Sequence, residues 1–389
     1  MKRRVLFVSN GIGEDMIAAR IGAALPDRFV TVAAYPLVGL GVYPPAFALL
    51  DPRRELPSAG FSLRSGWRGL PADLAAGLIG LWRDQYRTLR AQRGRWDLVV
   101  AVGDVYCLRM ASLAAPRVAF VATAESVRIA PFGRVARRVM RRRALRIFAR
   151  DPDSASFLAA HGLPAVAPGN VMMDLVTPSG ETFGLAPDAP VVALLPGSRR
   201  DAPQNAVLLA RAAAAIADRT REVWFLLAVA PTVSETILRE RLRGLGYVKI
   251  SPDGDLTLGR ARATLTRSFA DAVARAWVIL GMAGTAHEQA AGLGRPVVAF
   301  PGHSAQFGRA FLGMQHRLLG DALVPTRHWG EAAAAVVRLL HDPAERDRRG
   351  AVGRQRMGPA GGAQRIADAL MELLRVDPAS PGPYSAPQP

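Results

Sequence analysis

Residues 191–200 read VVALLPGSRR, an apolar run that ends abruptly in a Pro-Gly turn. An apolar run of this length, bounded by a turn, predicts a buried strand of a parallel sheet. Ligands of open α/β sheets bind just beyond the carboxyl ends of the strands, so this turn lies where a ligand would be held. The backbone N–H groups near Gly197, the Ser198 hydroxyl and the Arg199 guanidinium together suit a diphosphate. The alternative is an ordinary strand–turn–helix connection in which Arg199 and Arg200 are solvated.

Length and composition narrow the class of protein. A chain of 389 residues that is 50% hydrophobic predicts two globular domains and excludes disordered and fibrous classes. The single cysteine, Cys107, excludes a disulfide framework, and we see neither a signal peptide nor a membrane-spanning apolar run; both features favour a cytoplasmic protein. The net charge of +18 indicates an anionic partner, such as a phosphorylated ligand, a membrane surface or nucleic acid.

Short apolar runs alternate with helix-period segments along both halves of the chain, which is typical of α/β domains with parallel sheets. The predicted strands lie near 4–9, 29–34, 97–102, 117–122, 145–149, 190–195, 223–229, 247–250, 263–266, 277–281 and 296–300. The Pro- and Gly-rich segment 164–187 predicts a linker. We expect an N-terminal domain at 1–175, a C-terminal domain at 176–345, a helical segment at 346–375 and a disordered Pro-rich tail at 376–389.

Two turns in the first half of the chain are candidate sites for ligand binding or catalysis. The first strand ends in NGIGE at 10–14, where Gly11 and Gly13 let the backbone approach a ligand beside Glu14, although the full dinucleotide fingerprint and the Walker lysine are missing. A purely structural turn is the alternative. Asp104 follows another apolar strand, where its carboxylate could deprotonate an acceptor hydroxyl. Its alternative role is to cap the next helix.

The segment 128–150 contains nine arginines and no acid. With Val135, Val139 and Met140 as a modest apolar stripe, it predicts a basic amphipathic helix suited to an anionic membrane surface. The arginines expected to face the membrane are Arg134, Arg137, Arg138, Arg141 and Arg142. A predicted helix at 73–90 with an apolar first half would add to this surface. We expect no nucleic acid, because no aromatic platform or nucleic-acid-binding motif accompanies the charge; a plain solvated face is the other alternative.

The second half offers further candidates for a nucleotide site. The stretch GMAGTAHEQA at 281–290 follows an apolar strand, so its small residues could let a helix N-terminus approach a phosphate, with Thr285 as an extra donor after Gly284. Glu288 lies one turn into that helix and could reach ribose hydroxyls, and Gln306 in the next loop could bind a sugar. Each alone fits an ordinary helix start or loop. No zinc-type spacing of His, Asp and Glu and no nucleophile elbow is visible, so we expect no metal.

In this order and spacing the motifs resemble those of the glycosyltransferase-B superfamily. More narrowly, the chain is similar to lipid-A-disaccharide synthase and its divergent related branch over most of residues 1–345. The resemblance is carried by LPGSR at 195–199, the Gly284-Thr285 turn with Glu288, and the basic segment that begins at Arg134. The loop at 10–15 and the turn at Asp104 depart from the synthase pattern, and the segment 306–320 fits the related branch better.

The resemblance implies two Rossmann-like domains with the active site in the cleft between them. We therefore expect an inverting, metal-independent hexosyltransferase without cofactor, which moves a sugar from a nucleotide diphosphate, typically UDP, to a lipid-linked acceptor. It would work at the inner face of the cytoplasmic membrane, with Asp104 as general base. The other expected roles are diphosphate binding by Gly197, Ser198, Arg199, Gly284 and Thr285, ribose binding by Glu288, sugar binding by Gln306, and acceptor approach at Gly11, Gly13 and Glu14. An epimerase or hydrolase of the same superfamily and a non-catalytic membrane-surface protein are the alternatives.

Overall fold

The computed structural model describes residues 2–55, 74–220, 222–251, 256–302 and 307–375. The chain forms two compact units, each with its own sheet. Unit 1 contains Met1–Leu175 and Ala360–Pro389, and unit 2 contains Val176–Pro359. The tail predicted at 376–389 lies outside the described residues.

Unit 1 is a parallel α/β unit. Its strands are β1 (Arg3–Ser9), β2 (Val30–Pro36), β3 (Ala48–Leu49), β4 (Leu98–Gly103), β5 (Val118–Ala122), β6 (Ala144–Ala149) and β7 (Ala165–Val166). Its helices before the linker are α1 (Ile12–Ala24), α2 (Leu78–Ala91), α3 (Val105–Ala111), α4 (Arg134–Arg143) and α5 (Pro152–Ala160). The strands lie in the order β3-β2-β1-β4-β5-β6-β7, and every neighbouring pair is parallel. This is the strand order of a Rossmann sheet with one added edge strand.

The two faces of this sheet are covered by different helices, which explains why its central strands are apolar throughout. Leu89 of α2, Leu108 of α3 and Met140 of α4 are buried in one core cluster. Ile17 of α1 and Leu370 are buried in the other. Because both faces are covered, β4 is buried along its whole length, as a parallel strand should be.

Unit 2 repeats this plan. Its strands are β8 (Val191–Leu195), β9 (Trp224–Ala228), β10 (Val248–Ile250), β11 (Leu256–Leu258), β12 (Ala261–Thr266), β13 (Val278–Gly281), β14 (Val297–Ala299) and β15 (Leu323–Pro325). Its helices are α6 (Ala202–Ala217), α7 (Glu235–Leu242), α8 (Phe269–Arg275), α9 (Thr285–Gly292), α10 (Arg309–Leu319), α11 (Trp329–His341) and α12 (Pro343–Met357). The sheet order is β10-β11-β12-β9-β8-β13-β14-β15.

The parallel strands of unit 2 therefore also follow a Rossmann order, with β12-β9-β8 on one side and β13-β14-β15 on the other. β10 and β11 form an antiparallel extension at the edge beyond β12. In each sheet the strand order reverses at one place, which we call the switch point: between β1 and β4 in unit 1, and between β8 and β13 in unit 2. Ligands of doubly wound sheets bind at this place, beyond the carboxyl ends of the strands.

The C-terminal helices are divided between the units, whereas the sequence led us to expect one helical segment at 346–375. α12 begins at Pro343 and packs on α9 of unit 2. The last helix, α13 (Gly362–Arg375), returns to unit 1, where Ile366 and Leu370 are buried against the core beside α1. The Asp174 carboxylate accepts a hydrogen bond from the N–H of Ala363 at 2.7 Å and so ties the start of α13 to unit 1.

Candidate functional site

The turn after β8 lies at the switch point of unit 2. Gly197 has φ +94°, a conformation that favours glycine, and a Cβ there would make a tight contact of 3.1 Å with the carbonyl oxygen of Met282. The N–H of Met282 donates to the carbonyl of Leu195 at 2.8 Å, which holds the turns after β8 and β13 side by side. Ser198 and Arg199 are exposed beyond the strand ends, with the Ser198 carbonyl fixed by the Thr232 hydroxyl at 2.6 Å.

The second turn of this switch point begins α9. Gly284 is the N-cap of this eight-residue helix, and it offers no side chain to satisfy the first N–H groups. Thr285 is exposed at the first helical position. Because the first N–H groups and the helix dipole both favour negative charge, this end of α9 is suited to a phosphate. The structure thus brings Gly197, Ser198 and Gly284 to one edge of one sheet, as the sequence led us to expect.

Glu288 and Gln306 are the residues predicted to bind the ribose and the sugar. Glu288 is nine-tenths buried one turn into α9. Gln306 lies outside the described residues. Among the residues the structure describes, no group of three or more His, Cys, Asp or Glu side chains could hold a metal ion.

His287, on the same helix, is fully buried, and burial lowers its pKa to about 4. Its Nε2 accepts a hydrogen bond from the N–H of Ala283 at 3.3 Å, and its Nδ1 lies 3.0 Å from Oε1 of Gln315. Nε2 must be unprotonated to accept, so the ring is neutral and carries its proton on Nδ1. The sequence alone gave no sign that His287 is buried and hydrogen-bonded to Gln315.

The switch point of unit 1 is built around Asp104. Its Oδ1 accepts hydrogen bonds from the N–H of Cys107 at 2.9 Å and from Nδ2 of Asn10 at 2.8 Å. Asp104 is therefore the N-cap of α3, so the capping alternative is realised. Its Oδ2 has no hydrogen-bond partner among the described residues, which leaves that oxygen available to a ligand.

Glu14 lies near Asp104 in the same edge of the sheet. Burial raises the pKa of its carboxyl group, the negative charge of Asp104 raises it further, and the Arg150 guanidinium acts in the opposite direction. The Thr123 hydroxyl donates to Glu14 Oε1 at 3.4 Å. A side chain at Gly11 would collide with the Glu14 carboxylate, so this glycine leaves room for the acid. Gly13 is exposed, with open space where a Cβ would lie.

Asp15, the next residue, lies in the first turn of α1 but does not cap the helix. Its carboxylate is fully buried and lies 2.5 Å from the Ser9 hydroxyl, which in turn lies 2.6 Å from the Tyr43 hydroxyl. The N–H of Val42 donates to its other oxygen at 3.3 Å. Burial raises the pKa of Asp15 to about 6.

Sequence reasoning missed three polar side chains at this edge: Asn10, Thr123 and Arg150. Each follows directly after a strand, namely β1, β5 and β6. A systematic look at the first polar residue after every predicted strand would have found all three, because the carboxyl ends of parallel strands meet at one edge.

The basic helix is α4, and its apolar stripe differs from our expectation. Met140 is fully buried and Val139 packs against the core, so only Val135 is exposed, at 77%. Among the five arginines, Arg137 lies over the Phe157 ring and Arg141 donates to the carbonyl of His161 at 2.7 Å. The other three, Arg134, Arg138 and Arg142, are exposed.

Helix α2 supplies the apolar surface that α4 lacks. Ile79, Trp82 and Tyr86 are exposed along one stripe, at 66%, 39% and 44%, while the opposite side of the helix is buried. α2, α3 and α4 all cover the same face of the sheet of unit 1. No helix in the described part of the chain is long and apolar enough to cross a bilayer.

Comparison with known proteins gives relatives over part of the chain. No protein-family model matches. A lipid-A-disaccharide synthase from Syntrophus aciditrophicus is 30% identical over 213 residues, which cover 50% of this chain and 52% of that protein. Another, from Geobacter metallireducens, is 26% identical over 246 residues, covering 57% of this chain and 61% of the relative. The chain thus spans only a little more than half the length of these curated relatives.

Solved structures match nearly the whole chain at low sequence identity. A putative UDP-N-acetylglucosamine 2-epimerase from Listeria monocytogenes has a TM-score of 0.61 at 16% identity, covering 96% of this chain and 97% of that one. The S. aureus MnaA-UDP co-structure has a TM-score of 0.60 at 15% identity, covering 97% and 99%. Acinetobacter baumannii MurG has a TM-score of 0.58 at 13% identity, covering 95% and 99%. The chain contains two Rossmann-like units and shares its fold with these solved structures, and over about half of its length it is similar to lipid-A-disaccharide synthases.

Proposed function

We propose that this protein is a glycosyltransferase that moves a sugar from a nucleotide diphosphate, UDP in the first instance, to a lipid-linked acceptor at a membrane surface. One observation carries the proposal: the two turns expected to bind a diphosphate lie next to each other at the switch point of unit 2. Similarity to lipid-A-disaccharide synthases and the fold shared with a UDP-bound protein support it.

In the proposed reaction, Oδ2 of Asp104 takes the proton of an acceptor hydroxyl. The hydroxyl oxygen then forms a bond to the anomeric carbon of the donor sugar, and the bond from that carbon to the diphosphate oxygen breaks, with inversion. Negative charge develops on the leaving diphosphate. Arg199, Ser198 and the N-terminus of α9 stabilise it, a form of electrostatic preorganisation. No step needs a metal or a cofactor. Glu288 would hold the ribose and Gln306 the sugar, while Gly11, Gly13 and Glu14 would line the acceptor side.

The Asp104 assignment has a physical basis in the hydrogen bonds of its carboxylate. Oδ1 is held by two N–H donors, which orient the group, while Oδ2 is left for the substrate. Capping and catalysis are therefore compatible in one residue. The cap fixes the direction in which the second oxygen points.

Membrane attachment would combine two helices of unit 1. The exposed apolar stripe of α2 would enter the interface between lipid headgroups and chains, and the exposed arginines of α4 would contact anionic headgroups. Replacing Arg134, Arg138 and Arg142 with glutamine should weaken binding to sedimented vesicles that contain anionic lipid by about a hundredfold, since each surface charge contributes roughly 1 kcal/mol. The matched control replaces three equally exposed arginines of unit 2, Arg219, Arg241 and Arg243, and should bind like the wild type.

The transfer itself is tested by incubating the protein with labelled UDP-sugars and a membrane lipid extract. We expect label in a lipid product, identified by its mass, and no lipid product without the protein. Label that is released only as free sugar, or that stays on the nucleotide as a different sugar, would contradict the transferase proposal.

An epimerase is the second candidate, and a specific feature favours it. Glu14 and Asp104 are two neighbouring carboxyl groups, and burial raises the pKa of Glu14 while Asp104 keeps two N–H donors. Two neighbouring carboxyl groups in different environments suit a reaction in which one group removes a proton and the other returns one. An epimerase would convert the free nucleotide sugar without lipid, so omitting the extract from the same assay distinguishes the two reactions.

A further inference from the structure

A closed set of hydrogen bonds lies directly under the first turn of α9. The Ala283 N–H donates to Nε2 of His287, Nδ1 of His287 donates to Oε1 of Gln315, and Nε2 of Gln315 donates to the carbonyl of Gly284 at 3.1 Å. The three bonds start and end on the two residues that precede the helix. His287 and Gln315 belong to α9 and α10, so the set also joins these helices.

From this arrangement we infer that His287 and Gln315 are positioning residues, which hold the Ala283-Gly284 turn so that the first N–H groups of α9 point toward the donor diphosphate. The identity of that ligand rests on the proposed function. That His287 and Gln315 hold the Ala283-Gly284 turn in place does not depend on the identity of the ligand.

The surroundings of the imidazole are shaped for this role. A side chain at Gly281 would collide with Nε2 of His287, so glycine at the end of β13 leaves room for the ring. The edge of Phe307 packs against His287, with ring centroids 5.6 Å apart, and a Cβ at Gly284 would touch the Phe311 ring at 3.4 Å. His287 is fully buried and Gln315 is 2% exposed. Water is thus excluded from the hydrogen bonds, which strengthens them and makes the loss of any partner costly.

A merely space-filling histidine would not need its polar atoms. Here each nitrogen of the ring has one partner, and Gln315 uses both its oxygen and its nitrogen. The Ala283 N–H precedes the repeating hydrogen bonds of α9 and would otherwise lack a partner. The Gly284 carbonyl accepts from the His287 N–H at 3.0 Å, and the bond from Gln315 is its second. The side chains therefore hold backbone groups in a fixed direction, which is what a rigid anion site requires.

Substitutions of His287 and Gln315 test whether these side chains act through their hydrogen bonds to the turn or only by filling space. His287→Leu fills the volume and removes both hydrogen bonds, whereas His287→Gln retains an acceptor near the position of Nε2. Gln315→Leu removes the bonds to His287 and Gly284. The matched control is His316→Leu on the same helix, which removes a hydrogen bond to the carbonyl of Leu323 and leaves the turn intact.

The readout is the dissociation constant for UDP, measured by titration calorimetry on proteins with unchanged circular dichroism. We expect His287→Leu and Gln315→Leu to bind UDP about tenfold more weakly, the double variant to lose little more, His287→Gln to recover most of the affinity, and His316→Leu to bind like the wild type. Wild-type affinity in both His287→Leu and Gln315→Leu would overturn the inference. So would an equal loss in His316→Leu, because the effect would then be general destabilisation.

If the wild type binds no UDP, that result counts against the proposed function and not against the hydrogen-bonded arrangement. Two measurements that need no ligand then test the arrangement itself. The Ala283 amide should exchange slowly with solvent and become at least tenfold faster in Gln315→Leu. Nitrogen-15 spectra of the wild type at neutral pH should show the His287 proton on Nδ1. A proton on Nε2, or fast exchange of the Ala283 amide in the wild type, would refute the arrangement.

Discussion

The two switch points share a strand order and differ in chemistry. In unit 1 the turns beyond β1 and β4 present the carboxyl groups of Glu14 and Asp104. In unit 2 the turns beyond β8 and β13 present hydroxyls, an arginine and a helix start without a side-chain cap, and the buried His287 beneath them is kept neutral. The same topology therefore offers proton acceptors in one unit and anion-binding donors in the other.

This difference teaches that the fold fixes where a ligand binds, while the first residues after each strand decide which ligand. An acidic edge repels a diphosphate and suits a hydroxyl that must lose a proton. A donor-rich edge does the reverse.

The largest effect should follow loss of the base in unit 1. Asp104→Asn keeps an oxygen for the Cys107 N–H but cannot accept a proton, so turnover should fall about a thousandfold. Asp151→Asn is the matched control, because Asp151 also follows a parallel strand and caps a helix, accepting from the Ser154 N–H at 2.8 Å. Its turnover should stay within about threefold of the wild type in the same assay. Near-normal turnover in Asp104→Asn would move the base elsewhere, with Glu14 the first alternative.

A second effect concerns the stability of unit 1. The pKa of Asp15 is raised to about 6 in the folded protein, above its unfolded value, so the stabilisation from protonated Asp15 is complete near pH 4 and is lost as the pH rises through 6. Asp15→Asn is always neutral, and its amide can still donate to Ser9. Its free energy of unfolding relative to the wild type should therefore rise by about 2 kcal/mol between pH 4 and pH 7.

Urea unfolding at both pH values measures this difference, and Asp27→Asn, which removes an exposed acid of the same unit, serves as the control. If the relative stability of Asp15→Asn does not change with pH, the buried Asp15 carboxylate ionises as an exposed one does, which contradicts a raised pKa of Asp15.

The smallest effect tests the fit of the turn in unit 2. Gly197→Ala adds a methyl group 3.1 Å from the Met282 carbonyl at a positive φ, so the turn must shift, and UDP should bind about fivefold more weakly. Gly180→Ala is the matched control. Gly180 has nearly the same φ, +92°, but an added Cβ there meets nothing within 4 Å, so this variant has the backbone strain of a positive φ without a close contact. Equal UDP affinities in the two variants would indicate that the turn is not part of the nucleotide site.

Much of the fold could be predicted because buried parallel strands are short apolar runs bounded by turns. VVALL of β8 and LVVAVG of β4 are buried along their whole length, so their boundaries are visible in composition alone. The two-residue strands β3 and β7 are too short to produce a pattern. The strand predicted near 247–250 is β10, but its hairpin partner β11 was missed because it reads LTL, an alternation too brief to separate from a loop.

The candidate site was predictable only where a residue follows a strand in sequence. Asp104 and Arg199 satisfy that condition. The partners of the buried groups do not: Asn10 meets Asp104 across 94 residues, and Gln315 meets His287 across 28. Such pairs depend on the packing of helices and strands that are distant in sequence, and no local periodicity encodes them. Likewise, the sequence could not reveal that Met140 is buried while Ile79 and Trp82 are exposed.

The central claim is that the switch point of unit 2, and not that of unit 1, holds the nucleotide diphosphate. The most direct measurement is the titration of UDP into the wild type, Arg199→Ala, Arg200→Ala and Asp104→Asn. Loss of a charge-assisted hydrogen bond should weaken binding to Arg199→Ala by about 10- to 100-fold, while Asp104→Asn and the neighbouring Arg200→Ala stay within about threefold of the wild type. Unchanged affinity in Arg199→Ala, or a comparable loss in Asp104→Asn, would contradict the account.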